Sequence, residues 1–402
     1  MFDLDLFIGK YVTKRMKSMF LQDIENNKEI LLQKIEGKKI LVVGGAGSIG
    51  SSFIKAILPF RPASLVVVDT NENALAELTR DIRSTKDMYI PDDYITYPMD
   101  FASSAFKKMF CKRKGFDVVG NFSAHKHVRS EKDIYSVEAL LQNNVLHAKL
   151  LLDLLVEYPP EEYFCVSTDK AANPVNIMGA SKRIMEDVIF AYSDIFPVKT
   201  ARFANVAFSN GSLPAGFLAR LQKLQPLSAP SDVRRYFVSP EESGQICMLA
   251  CMLGNNREIF FPRLEEEEMM TFDEIATVLL CEHGYKVLRC ESDKDAIAHI
   301  EALKHGGEFY PVHYSVSNTS GEKAYEEFYT DNESVDFNRL KALGVVTNKE
   351  IPNREKVNIL FNDLNVAFLK EETTKEEIVC ILKSYLPNFK HIETGKSLDS
   401  KM

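Results

Sequence analysis

The sequence predicts an α/β protein built on a doubly wound parallel sheet, with a smaller C-terminal substrate-binding lobe and an N-terminal helical extension. Three observations predict it. Short apolar strands alternate with helical stretches, a glycine-rich turn follows the first strand directly, and the alternation breaks into Pro-, Gly- and acid-rich segments beyond Asn205. The resulting boundaries are 1–37 for the extension, 38–205 for the sheet domain and 206–402 for a mainly substrate-binding lobe that can return elements to the sheet.

In the extension, Ile24, Ile30, Leu31 and Ile35 recur at helical spacing and the pattern ends at Gly37. Lys39 to Val43 is an apolar, mostly β-branched run, as expected of a strand buried on both faces. Helices are predicted over Ser51–Leu58, Glu72–Ser84, Ser104–Cys111, Ser136–Glu157 and Gly179–Tyr192. Strands are predicted over Ser64–Val68, Tyr94–Tyr97, Asp117–Phe122, Tyr163–Ser167 and Val198–Ala204. Parallel strands joined this way take right-handed crossovers. In the second lobe the run Glu265 to Glu268 reads as a solvated face, and Lys375–Tyr385 as a closing helix.

With 402 residues and 45% hydrophobic content, the chain can bury one large core and a smaller one. Its 57 acidic against 49 basic residues give a net charge of -8, which excludes a broad nucleic-acid footprint. The seven cysteines form no CxxC pair and no zinc-like spacing, so they read as reduced thiols and no metal is expected. Cys247 and Cys251 read as buried small hydrophobes. The first 20 residues lack a signal-peptide core, and no stretch is apolar for long enough to cross a bilayer, so a soluble, cytoplasmic protein is expected.

Gly44, Gly47 and Gly50 lie between the first strand and the first helix, with Ser48 and Ile49 among them. At such a junction the first glycine permits the tight turn, the second lets backbone approach a pyrophosphate, and the third lets helix and strand pack closely. The helix N-terminus then faces the phosphates. Asp69, 19 positions beyond Gly50, stands where a carboxylate accepts from an adenosine ribose diol and repels a 2′-phosphate, which favours NAD over NADP. Asp100 is expected beside the adenine, and Ser123 and Ala124 beside the cofactor.

The three-residue glycine spacing resembles the short-chain dehydrogenase/reductase superfamily, although Val43 stands where Thr commonly precedes the first glycine. Farther on, the strand ending at Ser167 delivers Thr168, Asp169 and Lys170, an acid beside a base and a hydroxyl, suited to moving protons on adjacent carbons. The segment Ser167–Pro174 resembles the motif of the polysaccharide-biosynthesis dehydratases that act on UDP-N-acetylglucosamine. Ser123–Val128, Asn143–Val145, Arg202–Val206, Ser209–Ser212, Arg235–Phe237, Gly321–Lys323 and His391–Gly395 agree with that family in order. The superfamily's Tyr-x-x-x-Lys is here Met178-x-x-x-Lys182, a replacement that resembles a dehydratase subgroup retaining Thr-Asp-Lys.

The resemblance implies an NAD-dependent 4,6-dehydratase in which NAD is regenerated. Lys170 is then the base at C5, Asp169 the acid at the C6 hydroxyl and Thr168 the partner of the C4 oxygen, while Lys182 binds the nicotinamide ribose. Without the Tyr, Asp169 is also a candidate for the C4 hydroxyl proton. Lys126, His127, Asn205, Arg235 and Glu322 are implied as substrate contacts, and a homo-oligomer fits the superfamily. The absent Tyr implies retention of configuration at C5. Two alternatives remain open at this stage: a nucleotide-sugar 4-epimerase, which needs no acid–base pair for C5 and C6, and a catalytically silent dinucleotide-binding protein.

Overall fold

The structure is a computed structural model, and it describes residues 2–127, 131–317, 327–347 and 349–392. Its main sheet has nine strands: β1 Lys39–Val43, β2 Ser64–Asp69, β3 Asp93–Pro98, β4 Val118–Asn121, β5 Glu162–Thr168, β6 Val198–Phe203, β7 Glu258–Pro262, β8 Ser334–Asp336 and β9 Leu343–Thr347. The spatial order is β8-β9-β7-β6-β5-β4-β1-β2-β3. From β7 to β3 every pairing is parallel, and β9 and β8 close the edge antiparallel. Strand order reverses between β1 and β4, and the cleft outside the strand C-termini at such a switch point is where open α/β sheets bind ligands. Ile40 to Val43 are all buried because helices cover both faces.

Residues after 205 serve two bodies. The helices Pro240–Leu253, Arg354–Phe368 and Lys375–Tyr385 bring Leu249, Leu360, Leu364, Ile378 and Leu382 into the core around the main sheet. A second core forms where the parallel strands Lys286–Cys290, Phe309–Ser315 and Leu227–Pro230 meet the helices Leu213–Gln222 and Phe272–Glu282, around Phe217, Leu279 and Tyr310. The N-terminal extension crosses from one to the other. Phe7, Ile8 and Val12 enter the second core, whereas Phe20, Leu31 and Ile35 enter the first.

The expected helix Ser136–Glu157 is not uniform. It begins at Ile134 and is interrupted by a π-helical stretch, Gln142–His147, before resuming as Ala148–Glu157. The extra residue per turn gives Asn144 its inward place, where it is 2% exposed and fully hydrogen-bonded. Spacing by 3.6 carries no sign of this, since the reason lies in tertiary contacts.

The edge strands are tied in by a buried ionic cluster. Arg202, fully buried, makes two hydrogen bonds to each of two carboxylates, Glu186 at 2.9 and 2.8 Å and Glu333 at 2.7 and 2.9 Å. Lys349 adds a bond to Glu333 at 2.8 Å. Arg202 therefore works as a structural link between β6 and the chain entering β8. Among the described residues no helix is long and apolar enough to cross a membrane.

Candidate active site

The glycine cradle is built by close approach. Gly44 has φ +71°, and a Cβ there would lie 2.5 Å from the Ser123 nitrogen. A Cβ at Gly50 would lie 2.4 Å from the Gly44 carbonyl oxygen, so the helix Ser48–Ile57 can sit on the turn only with glycine there. Gly47 differs: a Cβ would meet Gly44 oxygen alone, at 3.4 Å, which leaves open space over the helix N-terminus. Asp69, at the end of β2, reaches back to accept the Ala46 N–H at 3.1 Å and also accepts from Asn71 at 2.9 Å. The glycine-lined turn with this carboxylate at its flank fits a dinucleotide.

A chain of polar contacts leads from the cradle to the helix that follows the turn after β5. Ser123 donates from its hydroxyl to Asn143 Oδ1 at 3.1 Å. Asn144 accepts the His125 N–H at 2.9 Å, returns a bond to the His125 carbonyl at 3.0 Å, and donates to Ser181 Oγ at 3.1 Å. Ser181 lies on the helix Ile177–Phe190, which carries Met178 and Lys182. That helix packs so closely on the preceding turn that a Cβ at Gly179 would lie 2.7 Å from the Lys170 carbonyl oxygen.

At the end of β5 the three expected residues come together. Asp169 is buried, and its Oδ1 accepts from Thr168 Oγ1 at 2.6 Å, from the Lys170 N–H at 2.9 Å and from Lys170 Nζ at 3.1 Å. The Lys170 side chain keeps 20% exposure against 6% for Asp169. Lys182 is 3% exposed and donates to the Val166 carbonyl at 3.0 Å, with Met185 sulfur at 3.7 Å. Burial holds its pKa below the ordinary lysine value against the raising pull of Cys165 and Glu186. The Met178 side chain is buried, and a thioether there has no proton to exchange.

The remaining predicted residues spread outward. Lys126 and His127 are exposed, and Lys126 Nζ lies 3.5 Å from Ser209 Oγ. Their neighbour, the loop through Gly211, folds over the cradle: Asn210 donates its N–H to Ser48 Oγ at 2.9 Å, and a Cβ at Gly211 would meet His127 Nε2 at 2.8 Å. Asn205 is half-buried and Arg235 is buried, its guanidinium bonded to the Arg234 carbonyl at 2.9 Å. Asp100 is exposed and caps the Ala102 N–H at 2.8 Å. Ile49 and Ala124 are half-buried beside the cradle, and Glu322 lies outside the described residues. Asn144 falls within the Asn143–Val145 segment, but its partners, like those of Glu131, are largely backbone groups that residue type does not reveal.

A cysteine, an aspartate and a histidine in the second body, Cys290, Asp295 and His299, bring donor atoms within 4.8 Å of one another. Asp295 is already engaged there: it accepts the Glu291 N–H at 2.9 Å and pairs with His299 at 3.3 Å, while Ser292 caps its own N–H at 3.2 Å. The capping of the short helix Asp293–Ala298 thus accounts for the cluster.

Residues 40–347 match the family described as polysaccharide biosynthesis protein. The chain belongs to that family. Among its relatives is an uncharacterized membrane protein of Methanocaldococcus jannaschii, MJ1061, 28% identical over 347 residues, covering 84% of this chain and 94% of the relative. The probable polysaccharide biosynthesis protein EpsC of Bacillus subtilis is 26% identical over 341 residues, and this family member spans only 52% of its length. A UDP-N-acetylglucosamine 4,6-dehydratase (inverting) of Campylobacter jejuni is 26% identical over 237 residues, 57% of this chain and 67% of that one. Nucleotide-sugar 4-epimerases occur among the relatives too, as in the UDP-glucose 4-epimerase of Rickettsia typhi. Among solved structures, Pen from Bacillus thuringiensis superposes with a TM-score of 0.63 at 18% identity, over 82% of this chain and 98% of that one, which shows the shared fold.

Proposed function

We propose that this protein is an NAD-dependent 4,6-dehydratase that converts UDP-N-acetylglucosamine to its 4-keto-6-deoxy derivative for surface-polysaccharide synthesis. One observation carries the reading: the convergence of Thr168, Asp169 and Lys170 on a single carboxylate oxygen at the end of β5. An epimerase needs proton traffic only at the C4 oxygen, whereas removal of water across C5 and C6 needs a second acid and base.

When bound between the glycine turn and Asp69, NAD would supply reversible hydride transfer, out of C4 and back to C6. Thr168 would hold the C4 oxygen through its hydroxyl. Lys170, working unprotonated, would remove the C5 proton once the neighbouring ketone has made it acidic. Asp169 would take the C4 hydroxyl proton, since Met178 offers no hydroxyl, and then give it to the departing C6 hydroxyl, which leaves as water; the proton held on Lys170 would return to C5 as hydride reaches C6. Asp69 would hold the adenosine ribose, and Lys126 with the Ser209–Ser212 loop would face the diphosphate. Lys182 would bind the nicotinamide ribose by turning its ammonium from the Val166 carbonyl towards the cofactor.

The lack of a hydroxyl at position 178 supports retention at C5, as in the dehydratase subgroup that the Met178-x-x-x-Lys182 segment resembles. The test is incubation with a panel of nucleotide sugars, followed by mass spectrometry and proton NMR. Loss of one water from UDP-N-acetylglucosamine with a D-xylo product is expected. A C4 epimer of unchanged mass would move the protein to the epimerases, no turnover of any sugar would mark a silent dinucleotide binder, and an L-arabino product would reject retention.

A further inference from the structure

The helix that carries Met178 and Lys182 starts on one carboxylate. Glu131 is 7% exposed; its Oε2 accepts the Ile177 N–H at 3.0 Å and its Oε1 accepts the Met178 N–H at 2.8 Å. Asn176 covers the Gly179 N–H at 2.7 Å. First-turn N–H groups have no carbonyl within the helix to meet, and an anion is favoured at that end. A carboxylate can accept both bonds at once. A glutamine at the same place has one acceptor oxygen, and its NH2 would face an N–H.

Two elements converge on the same residue from the C-terminal side. The Glu131 carbonyl accepts from Lys375 Nζ at 2.8 Å, and His391 Nε2 stands 4.0 Å from Glu131 Oε2. Phe389 is buried, and the Ile392 N–H bonds the Val175 carbonyl at 3.0 Å. The segment Phe389–Ile392 therefore closes over the stretch between Lys170 and the helix. On the inner side, the close approach of Gly179 to the Lys170 carbonyl makes the position of the first helical turn also the position of the Lys170 backbone.

We propose that Glu131 is a positioning residue for proton transfer: it holds the start of this helix against Lys170, with the C-terminal segment as its clasp. The proposal rests on Lys170 as the C5 base, although Glu131 itself exchanges no proton with substrate. Its effect belongs to the chemical step, so the rate of turnover should carry it rather than substrate affinity.

The test compares Glu131→Gln with Asp23→Asn in the full chain. Asp23 makes the same kind of bond away from the site: 3% exposed, it accepts the Lys341 and Ala342 N–H groups at 2.8 Å each. With UDP-N-acetylglucosamine, Glu131→Gln should lower kcat at least tenfold with KM within about threefold of the parent. Asp23→Asn should lower the melting temperature comparably and leave kcat within twofold. Equal losses of kcat in both variants, or a kcat for Glu131→Gln within twofold of the parent, would overturn the proposal. Should Glu131→Gln fail to fold, Ile392→Pro removes the bond to Val175 and should lower kcat at least threefold; an unchanged kcat there is equally fatal. If the parent turns over no sugar, the functional reading fails instead. Hydrogen exchange then decides: amides of Thr168–Ala171 should exchange at least tenfold faster in Glu131→Gln than in Asp23→Asn, and equal rates would reject the positioning role.

Discussion

Gly50→Ala sets helix propensity against packing. Inside the helix Ser48–Ile57, alanine should gain about 1 kcal/mol over glycine on propensity alone. Yet its Cβ would stand 2.4 Å from the Gly44 oxygen and 2.8 Å from Gly45 Cα, both backbone atoms. Going from 2.4 Å to an ordinary contact of 3.4 Å requires the helix to retreat by about 1 Å. Retreat is blocked on the far side by Pro240–Leu253, where even a Cβ at Gly244 would lie 2.1 Å from the Ser52 oxygen. Overpacking of this kind costs about 1–3 kcal/mol, so the variant should be less stable than the parent by up to about 2 kcal/mol once the helical gain is subtracted. A displacement of about 1 Å at the cofactor is worth on the order of 100-fold in turnover. Product formation, calorimetric titration with NAD and thermal unfolding read turnover, cofactor fit and stability separately. A Gly50→Ala protein that binds NAD as tightly as the parent and melts at a higher temperature would refute the packing argument.

Three further outcomes are expected. Lys170→Met should reduce sugar turnover by roughly 10²–10⁴-fold while leaving NAD affinity unchanged, measured by product formation and by titration. Met178→Leu keeps volume and removes only the sulfur, so turnover should stay within about threefold and stability within about 1.5 kcal/mol; a larger drop in rate would give the thioether a role in chemistry. Burial would raise the Glu333 pKa, but the Arg202 hydrogen bonds and charge, with Lys349, overcome this and bring it from 4.5 down to about 2. A depressed carboxyl pKa stabilises the fold above the unfolded value and loses that stability as pH falls through the folded value, so about 3 kcal/mol should vanish between pH 4.5 and 2. Glu333→Gln should lose that amount at pH 7 and flatten the acid limb, which urea unfolding at pH 7 and pH 3 would reveal.

The doubly wound order was legible because its signals are local. Glu72–Ser84 and Lys375–Tyr385 show the helical period over their whole length and are helices over those same residues. β1 reads as one apolar run because both its faces are covered. The residue types at the end of β5 were legible as well, since adjacent positions in sequence must share a neighbourhood. Contacts between distant segments were not. Glu131 meets the Ile177 and Met178 backbone, and Asn144 meets His125 and Ser181, through hydrogen bonds to groups every residue type carries. The inward side of Lys182 was hidden for the same reason: its partner is the Val166 carbonyl. Arg202 and Asn205 fall in one motif by sequence, but β6 buries the first in an ionic cluster and leaves the second near the cleft.

The extension before β1 bears on the same geometry, because the proposed reaction would require residues of one body to act on a sugar held by the other. Arg15 is one of the residues that join the two bodies. Its guanidinium bonds both oxygens of Glu242 at 2.9 and 3.0 Å, Glu268 at 2.7 Å and the Phe237 carbonyl at 3.0 Å. Glu242 belongs to the capping box of Pro240–Leu253, the helix that backs the cofactor-binding helix, while Glu268 precedes the strand Met270–Thr271 that pairs with Arg234–Arg235. The Arg15 fork thus fixes the angle between the cradle and the strand carrying Arg235, and the apolar residues on either side of it, Val12 in one core and Phe20 in the other, leave the connection little freedom to swing.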